Sequence, residues 1–292
     1  MIDFEQLARN MEGEVMTDSL HQMIYATDAS AYREIPLAVV YPRDASDVKA
    51  CIGFARENGI TLIPRAAGTS LAGQVVGNGV VVDVSRYMNR VLEINEEEHW
   101  VRVEPGVVLD ELNMRVKSLG LFFGPETSTS NRCCLGGMVG NNSCGSHSLV
   151  YGSTRDHLLE AKVILSNGEE VVLKGLEKKE VLDKMTCDSL EGKIYKCAVE
   201  MLEKNGEEIV QHFPDPALRR RNSGYAIDQL LYSNYFDATR EDKFNLCKLL
   251  AGSEGTLAFV TELKLNLVPL PPKEKAVICV HCRTLEEAFE GN

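Results

Sequence analysis

Apolar residues change their spacing several times along the chain, and each change predicts an element. Leu37 to Tyr41 is a short apolar run stopped by Pro42, which predicts a strand. Asp44 is placed to cap a helix whose apolar residues Val48, Ile52 and Ala55 recur at helical spacing. Gly59 falls where a left-handed residue closes such a helix. Ile60 to Ile63 predicts the next strand, with Pro64 as its stop. Strand, helix and strand with short connections imply a parallel βαβ unit of right-handed crossover. A loop from Arg65 to Gly79 then delivers the chain to Val80–Val84, a strand of the buried type.

The pattern that follows predicts antiparallel sheet. Val91 to Ile94 and Trp100 to Val103 flank a polar turn and form a hairpin. Leu109, Leu112, Val116 and Leu119 share one face of a helix that Gly120 ends. Lys162 to Leu165 and Glu170 to Leu173 flank Asn167-Gly168, a two-residue hairpin signal. Residues 176–205 are charged and helical in pattern through Leu190, Ile194, Ala198 and Met201, and predict a peripheral insertion. From Thr256 to Val268 the chain alternates, with Leu257, Phe259, Leu263, Leu265 and Leu267 on one face of a long strand. Pro269-Leu270-Pro271-Pro272 predicts a linker. Ala276 to Cys282 then predicts a fresh strand, and Thr284 with Glu287 a capping box. A helix running about two turns to Asn292 would be marginal alone, so the chain is expected to be part of a longer protein.

Composition narrows the classes. With 292 residues, 44% apolar and 25% charged, the chain can bury a core and hold about two domains. Its net charge of −12 disfavours a general nucleic-acid partner. No apolar run approaches the roughly 18 residues of a membrane span, and the acidic start lacks the features of a secretory signal. Nine cysteines among 292 residues is far below the roughly 8–10% of a disulfide scaffold, so reduced thiols in a cytoplasmic chain are expected.

Three loops could carry chemistry. Gly124 to Gly152 holds six glycines in 29 residues, against 23 in the whole chain, and from Thr127 to Thr154 its one formal charge is Arg132. Its apolar members, among them Leu135, Met138 and Val139, argue against disorder, and its glycines can bring main-chain amides close to a ligand. Pro64 to Gly73 leaves a parallel strand at its C-terminal end, where open α/β sheets bind ligands. It fits neither G-x-G-x-x-G nor the Walker pattern, so a nicotinamide Rossmann site or a P-loop is unsupported. Gly252-Ser253-Glu254-Gly255-Thr256 leads into the long alternating strand. Each loop alone also reads as a structural turn; their common attachment to strands favours a shared ligand.

PRAAGTSLAG, PETST, GGMVGNNSCG followed by YGSTRD, RRNSGYAID and GSEGTLAFVTE resemble the FAD-binding domain of the vanillyl-alcohol oxidase/p-cresol methylhydroxylase (PCMH) superfamily. The nearest group is that of D-lactate dehydrogenases and the FAD subunit of glycolate oxidase, including members fused to iron–sulfur modules. The resemblance spans about Leu37 to Pro269. It implies an α+β, two-subdomain PCMH-type fold, with a small parallel subdomain and a larger, mainly antiparallel one. On that frame residues 1–34 are a helical lead-in, and 35–105 and 106–269 the two subdomains, with 176–245 a helical insertion. Residues 273–292 would begin a cap or substrate domain.

Carried over motif by motif, Arg65, Ala66, Ala67, Gly68, Thr69 and Ser70 would form the pyrophosphate loop. Pro125, Thr127 and Ser128 would lie along the flavin. Gly136, Gly137, Gly140, Asn141, Ser143 and Gly145 would line the pyrophosphate, ribityl chain and ring, with Glu254, Gly255 and Val260 near the adenine end. Thr69 stands where some relatives carry a flavin-linked histidine, which implies non-covalent FAD. The implied reaction is hydride transfer from a small 2-hydroxy acid of D-lactate or glycolate type to flavin N5. The electron acceptor is open among a quinone, an electron-transfer protein and an iron–sulfur module. A place at the inner membrane face is the alternative to a free cytoplasmic one. The alternatives in function are a FAD-binding or assembly module without catalysis, and an oxidoreductase of the same superfamily for a sugar or alkylglycerone phosphate.

No catalytic residue is named within the chain, and this piece alone is expected to turn over little. Cys279 and Cys282 form a lone C-x-x-C and read as strand cysteines, so any iron–sulfur cluster or metal would lie outside the chain. Cys133, Cys134 and Cys144 read as packing residues, and His147 and His157 as ordinary hydrogen-bonded histidines. Arg219-Arg220-Arg221 reads as a solvated basic face or a bidentate carboxylate site, with Tyr225 toward the substrate side.

Overall fold

A computed structural model describes residues 2–218, 224–274 and 276–291. The chain begins with α1 (Phe4–Arg9), β1 (Glu14–Met16) and α2 (Ser19–Ile24), followed by β2 (Ala38–Tyr41), α3 (Ala45–Asn58), β3 (Leu62–Arg65) and β4 (Val80–Asp83). These strands form one sheet in the order β1-β2-β4-β3, with β4 parallel to both β2 and β3. The strand–helix–strand reading gave the right directions, but β2 and β3 are not neighbours; β4 lies between them. Asp44 caps α3 through the amides of Ser46 and Asp47, and Gly59 closes it at φ 62°. Pro64 does not end β3. It lies inside an edge strand, where one row of amides has no ladder partner and a missing N–H costs little.

The segment expected as a helical lead-in also supplies β1, antiparallel to β2. Three residues are too few for alternation to show. The signal is instead the close approach at Gly13, where a Cβ would stand 2.2 Å from the Tyr41 carbonyl oxygen. The buried Asp47 carboxylate fixes that crossing by accepting the amides of Glu12 and Arg43, both at 2.8 Å.

A second sheet follows. Its strands are β5 (Val91–Asn95), β6 (Trp100–Val103), β8 (Leu158–Ile164), β9 (Glu170–Lys174) and β10 (Phe259–Asn266), paired antiparallel in the order β5-β6-β10-β8-β9. Between β6 and β8 the chain forms α4 (Leu109–Val116), β7 (Leu121–Phe122), α5 (Leu135–Asn141), α6 (Ser148–Tyr151) and α7 (Thr154–His157). Between β9 and β10 come α8 (Lys178–Met185), α9 (Leu190–His212), α10 (Asp228–Leu231) and α11 (Cys247–Leu250), and β11 (Val268–Pro269) pairs with β7. In β10 every second residue is buried, Phe259, Thr261, Leu263 and Leu265. Leu257, expected on that face, precedes the strand and is exposed, because the turn at 252–256 delays the alternation.

The helical stretch predicted as peripheral is built into the core. Tyr195, Val199, Leu202 and Ile209 of α9 belong to the same buried cluster as β6, β8 and β10. Leu190, Ile194, Ala198 and Met201 flank that line half-buried. The shift follows from Gly192, which packs so closely on the Cys187 carbonyl that a Cβ would stand 2.2 Å from it. The predicted strand at 276–282 does not form. Val277, Ile278 and Val280 are 78–90% exposed, with no described strand beside them to pair with. Thr284 then caps α12 (Leu285–Glu290) through the Glu287 amide.

The two sheets have separate cores that touch. Val48, Phe54, Val80 and Val82 centre the first, and Ile164 and Phe259 reach into it from the second sheet. Lys49 pairs with Glu170 at 2.8 Å and Arg56 donates to the Asn167 carbonyl at 3.2 Å across the same junction.

Candidate functional site

Where the two cores meet, the three loops open onto one cleft of about 1400 Å³. That exceeds the roughly 300–1,000 Å³ typical of pockets for small ligands, so a large ligand fits. The cleft is lined by Arg65, Ala66, Ala67, Gly68, Thr69 and Ser70 from the first loop, and by Thr127, Ser128, Gly136, Gly137, Gly140, Asn141, Ser143 and Gly145 from the second. Glu254, Gly255 and Val260 complete the named set. Pro125 alone of the predicted residues is not in the wall; it is buried behind Glu126 and Thr127.

Each loop is held by local chemistry. The first leaves the C-terminal end of β3 as that edge strand runs out of partners. The second is stitched down on both sides of α5: Leu135 N–H donates to the Val107 carbonyl, Gly136 N–H to the Pro105 carbonyl, and Thr154 N–H and Oγ1 to the Ser143 carbonyl. The third is bonded to the second through Gly252 N–H on the Val139 carbonyl and Glu254 N–H on the Gly140 carbonyl, both at 2.9 Å. Glu254 and Gly255 hold φ values of 54° and 76°, the left-handed pair that makes this turn tight enough to present its backbone.

Arg155 had no role in the sequence reading, although it stands in the YGSTRD motif. Its buried guanidinium donates from Nε to the Lys248 carbonyl at 3.0 Å and from Nη2 to the Ala251 carbonyl at 2.7 Å. Its own amide donates to Asn142 Oδ1 at 2.8 Å. Asn142, at φ 48°, is the left-handed cap of α5, so one arginine pins the glycine-rich segment to the 248–255 turn. A second wall was missed altogether. Ile24, Thr27, Asp28 and Ala29 line the cleft from the N-terminal segment, which carries no glycine there and has Thr27 and Ser30 as its small-hydroxyl signal.

The donors around the cleft suit an anion. Among the described residues no protein acceptor takes the amides of Gly68, Thr69, Ser70 or Leu71, nor those of Gly137 and Gly145. Successive unpaired amides in a concave turn attract negative charge. Arg65 adds a half-buried guanidinium, with its proton affinity lowered by burial. The first two loops approach so closely that a Cβ on Gly137 would stand 3.3 Å from the Ala66 Cβ. This amide-rich, side-chain-poor cradle fits the diphosphate and ring of a dinucleotide.

Residues 36–174 match the family model described as a FAD binding domain. The chain carries a FAD-binding domain. Over 274 residues it is 39% identical to a D-2-hydroxyglutarate dehydrogenase of Pseudomonas putida, covering 92% of this chain and 26% of that protein. It is also 28% identical to the glycolate oxidase subunit GlcD of Bacillus subtilis, over 95% of this chain and 47% of that subunit. The chain thus spans about a quarter of the length of the D-2-hydroxyglutarate dehydrogenases it matches. Among solved structures, an alkyldihydroxyacetonephosphate synthase superposes with a TM-score of 0.61 at 17% identity, over 92% of this chain and 43% of that one. The 6-hydroxy-D-nicotine oxidase of Arthrobacter nicotinovorans gives 0.57 at 17% identity, over 89% and 43%. The fold is the α+β, PCMH-type FAD-binding fold.

Other predicted residues fall in varied places around the FAD-binding domain. Burial pushes the Cys134 thiol up to about 12 and raises that of Cys133, whose sulfur sits 3.2 Å from Thr127 Oγ1. Both therefore stay thiols and pack. Cys144 is half-buried in the cleft wall. Glu126 accepts from Ser146 Oγ at 2.6 Å and contacts His147 Nδ1 at 2.8 Å; the serine first and then the histidine hold its carboxyl below the ordinary range. His157 is buried, with Nε2 2.6 Å from the Tyr151 carbonyl. Tyr225 sits beside the third loop, its hydroxyl 2.6 Å from Thr256 Oγ1. Arg219, Arg220 and Arg221 lie outside the described residues. Among those described, no group of three or more His, Cys, Asp or Glu is placed to hold a metal, and no helix is long and apolar enough to cross a membrane.

Proposed function

We propose that this chain is the FAD-holding part of a flavin-dependent dehydrogenase that oxidises a small 2-hydroxy acid, with D-2-hydroxyglutarate first among the candidates. The observation that carries this reading is the convergence of three loops, each with unpaired main-chain amides or a left-handed turn, on one large cleft. The choice of substrate class is supported by relatives named for D-2-hydroxyglutarate at 31–39% identity and for glycolate at 28–31%.

FAD, when bound, supplies a hydride acceptor for the alcohol carbon. The residues of this chain act by holding and drying it. Arg65 and the amides of Gly68 to Leu71 would bind the diphosphate, with Thr69 placed for hydrogen bonding alone, so that retention is non-covalent. Gly136, Gly137, Gly140, Asn141, Ser143 and Gly145 would bring backbone against the ribityl chain and ring, with Thr127 and Ser128 along one side. The buried Met138 and Val139 exclude water from that wall. Glu254, Gly255 and Val260 would contact the adenine end. The groups that bind the acid and take its hydroxyl proton are assigned to the rest of the protein, as is the electron acceptor.

The test is spectroscopic. The purified chain should carry flavin absorption that acid precipitation releases into the supernatant. In the complete protein, D-2-hydroxyglutarate should bleach the flavin in a single anaerobic turnover faster than glycolate or D-lactate. A colourless chain that takes up no added FAD favours the assembly-module reading. Bleaching by an alkylglycerone phosphate or a sugar but by no 2-hydroxy acid replaces the substrate class.

A further inference from the structure

The family match begins at residue 36, yet one wall of the cleft comes from earlier in the chain. Tyr25 follows α2, and its hydroxyl donates to Asp83 Oδ2 at 2.6 Å, at the C-terminal end of β4. Asp83 is buried, and its Oδ1 accepts the amide and the hydroxyl of Ser85, both at 2.7 Å. Arg65 ends β3 with its guanidinium carbon 4.9 Å from the centroid of the Tyr25 ring. Its Nη1 makes a long 3.5 Å contact with the Tyr25 carbonyl. Gly68, at φ 64°, passes so near that a Cβ would stand 2.4 Å from Arg65 Nη2. The guanidinium is therefore close both to the Tyr25 ring and to the root of the unpaired amides.

Arg65 makes no ion pair among the described residues, although the charges of Asp83 and Asp28 both reach it. Asp83 has its hydrogen bonds filled by Tyr25 and Ser85. Asp28 accepts the Ser30 amide at one oxygen and keeps the other buried without a partner. Arg65 and Asp83 are cross-strand partners in the β3–β4 ladder, and a cation so placed serves an external anion only while something keeps it off that carboxylate.

We propose that Tyr25 is the positioning residue that keeps Arg65 on the cleft side for a diphosphate, by occupying Asp83 with its hydroxyl and stacking its ring on the guanidinium. The proposal rests on the reading of the cleft as the FAD site. Without the hydroxyl, Asp83 Oδ2 is a buried carboxylate oxygen lacking its donor, and the cation opposite it in the β3–β4 ladder fills the gap. Arg65 then leaves the cleft, and the first loop loses its positive charge.

The test is a double-mutant cycle read by FAD titration of the full chain, following quenching of flavin fluorescence. Tyr25→Phe should weaken FAD binding about tenfold, and Arg65→Ala at least as much. The double variant should bind no more weakly than Arg65→Ala alone, because Tyr25 acts through Arg65. A merely structural role for Tyr25 would give losses that add. Should Tyr25→Phe not fold, the cycle is run with Asp83→Asn in every member. The neutral amide no longer draws Arg65 there, so Tyr25→Phe should leave affinity unchanged while Arg65→Ala still lowers it. Unchanged affinity in Tyr25→Phe alone, additive losses, or a Tyr25 effect in the Asp83→Asn series overturns the clamp. No FAD uptake by the wild-type chain overturns both the clamp and the reading of the cleft.

Discussion

Arg155 shows how much of the site rests on a side chain that never enters it. Its fork satisfies the carbonyls of Lys248 and Ala251 while its backbone bonds Asn142. Arg155→Ala leaves those buried carbonyls without their donor, and a loss of about 2–4 kcal/mol of stability is expected in urea unfolding. Arg155→Lys should recover little of it, because an ammonium cannot reproduce the planar fork. Glu126 offers a pH test at the same scale. Its carboxyl is held below the ordinary value of 4.5 in the fold, first by Ser146 and then by His147. Its contribution is therefore complete above that value and fades as pH falls through the lower folded one. Glu126 Oε1 also accepts the His147 amide at 3.2 Å, so hydrogen-exchange protection at that amide, corrected for intrinsic rates, should drop over that acid window in the wild type. In Glu126→Gln the drop should be absent.

Among the elements, those with a repeating pattern were legible in the sequence. Helix α3 was readable to the residue at both ends because Asp44 and Gly59 are local stop signals whose physics needs no partner. Strand β10 was readable because half-burial enforces alternation. What could not be read was set by distant neighbours. The three-residue β1 exists because Gly13 admits the Tyr41 carbonyl. The segment 276–282 has strand chemistry but pairs with no described strand. The three loops were legible from composition, whereas the contribution of Ile24 to Ala29 and the pinning by Arg155 depend on tertiary placement alone. Helix α5 makes a sharp prediction. A Cβ at Gly136 would stand 2.5 Å from the Pro105 Cβ and 3.0 Å from its carbonyl oxygen. Gly136→Ala must therefore push α5 off the 105–107 segment, costing about 1–3 kcal/mol. Weaker FAD uptake should accompany the lower melting temperature.

At the scale of the molecule, the cleft exists because two cores meet without merging. Phe259 belongs by sequence to the second sheet and by packing to the first, and it also lines the cleft. Phe259→Ala should cost about 3–5 kcal/mol in chemical denaturation. It should also loosen the junction that Lys49–Glu170 and Arg56 leave to surface contacts. FAD added in excess should restore part of the melting temperature, since a ligand gripped by both halves favours their native apposition.

The three loops are not equally fastened. The second and third share two main-chain hydrogen bonds and the Arg155 fork, whereas the tip of the first, with Leu71 80% exposed, gives no such bond to either. The cleft is thus a rigid jaw facing a sprung one. A long guest would enter and leave by displacing the sprung side, so changes there would alter its residence time. Changes to the rigid side would decide whether it has anywhere to reside.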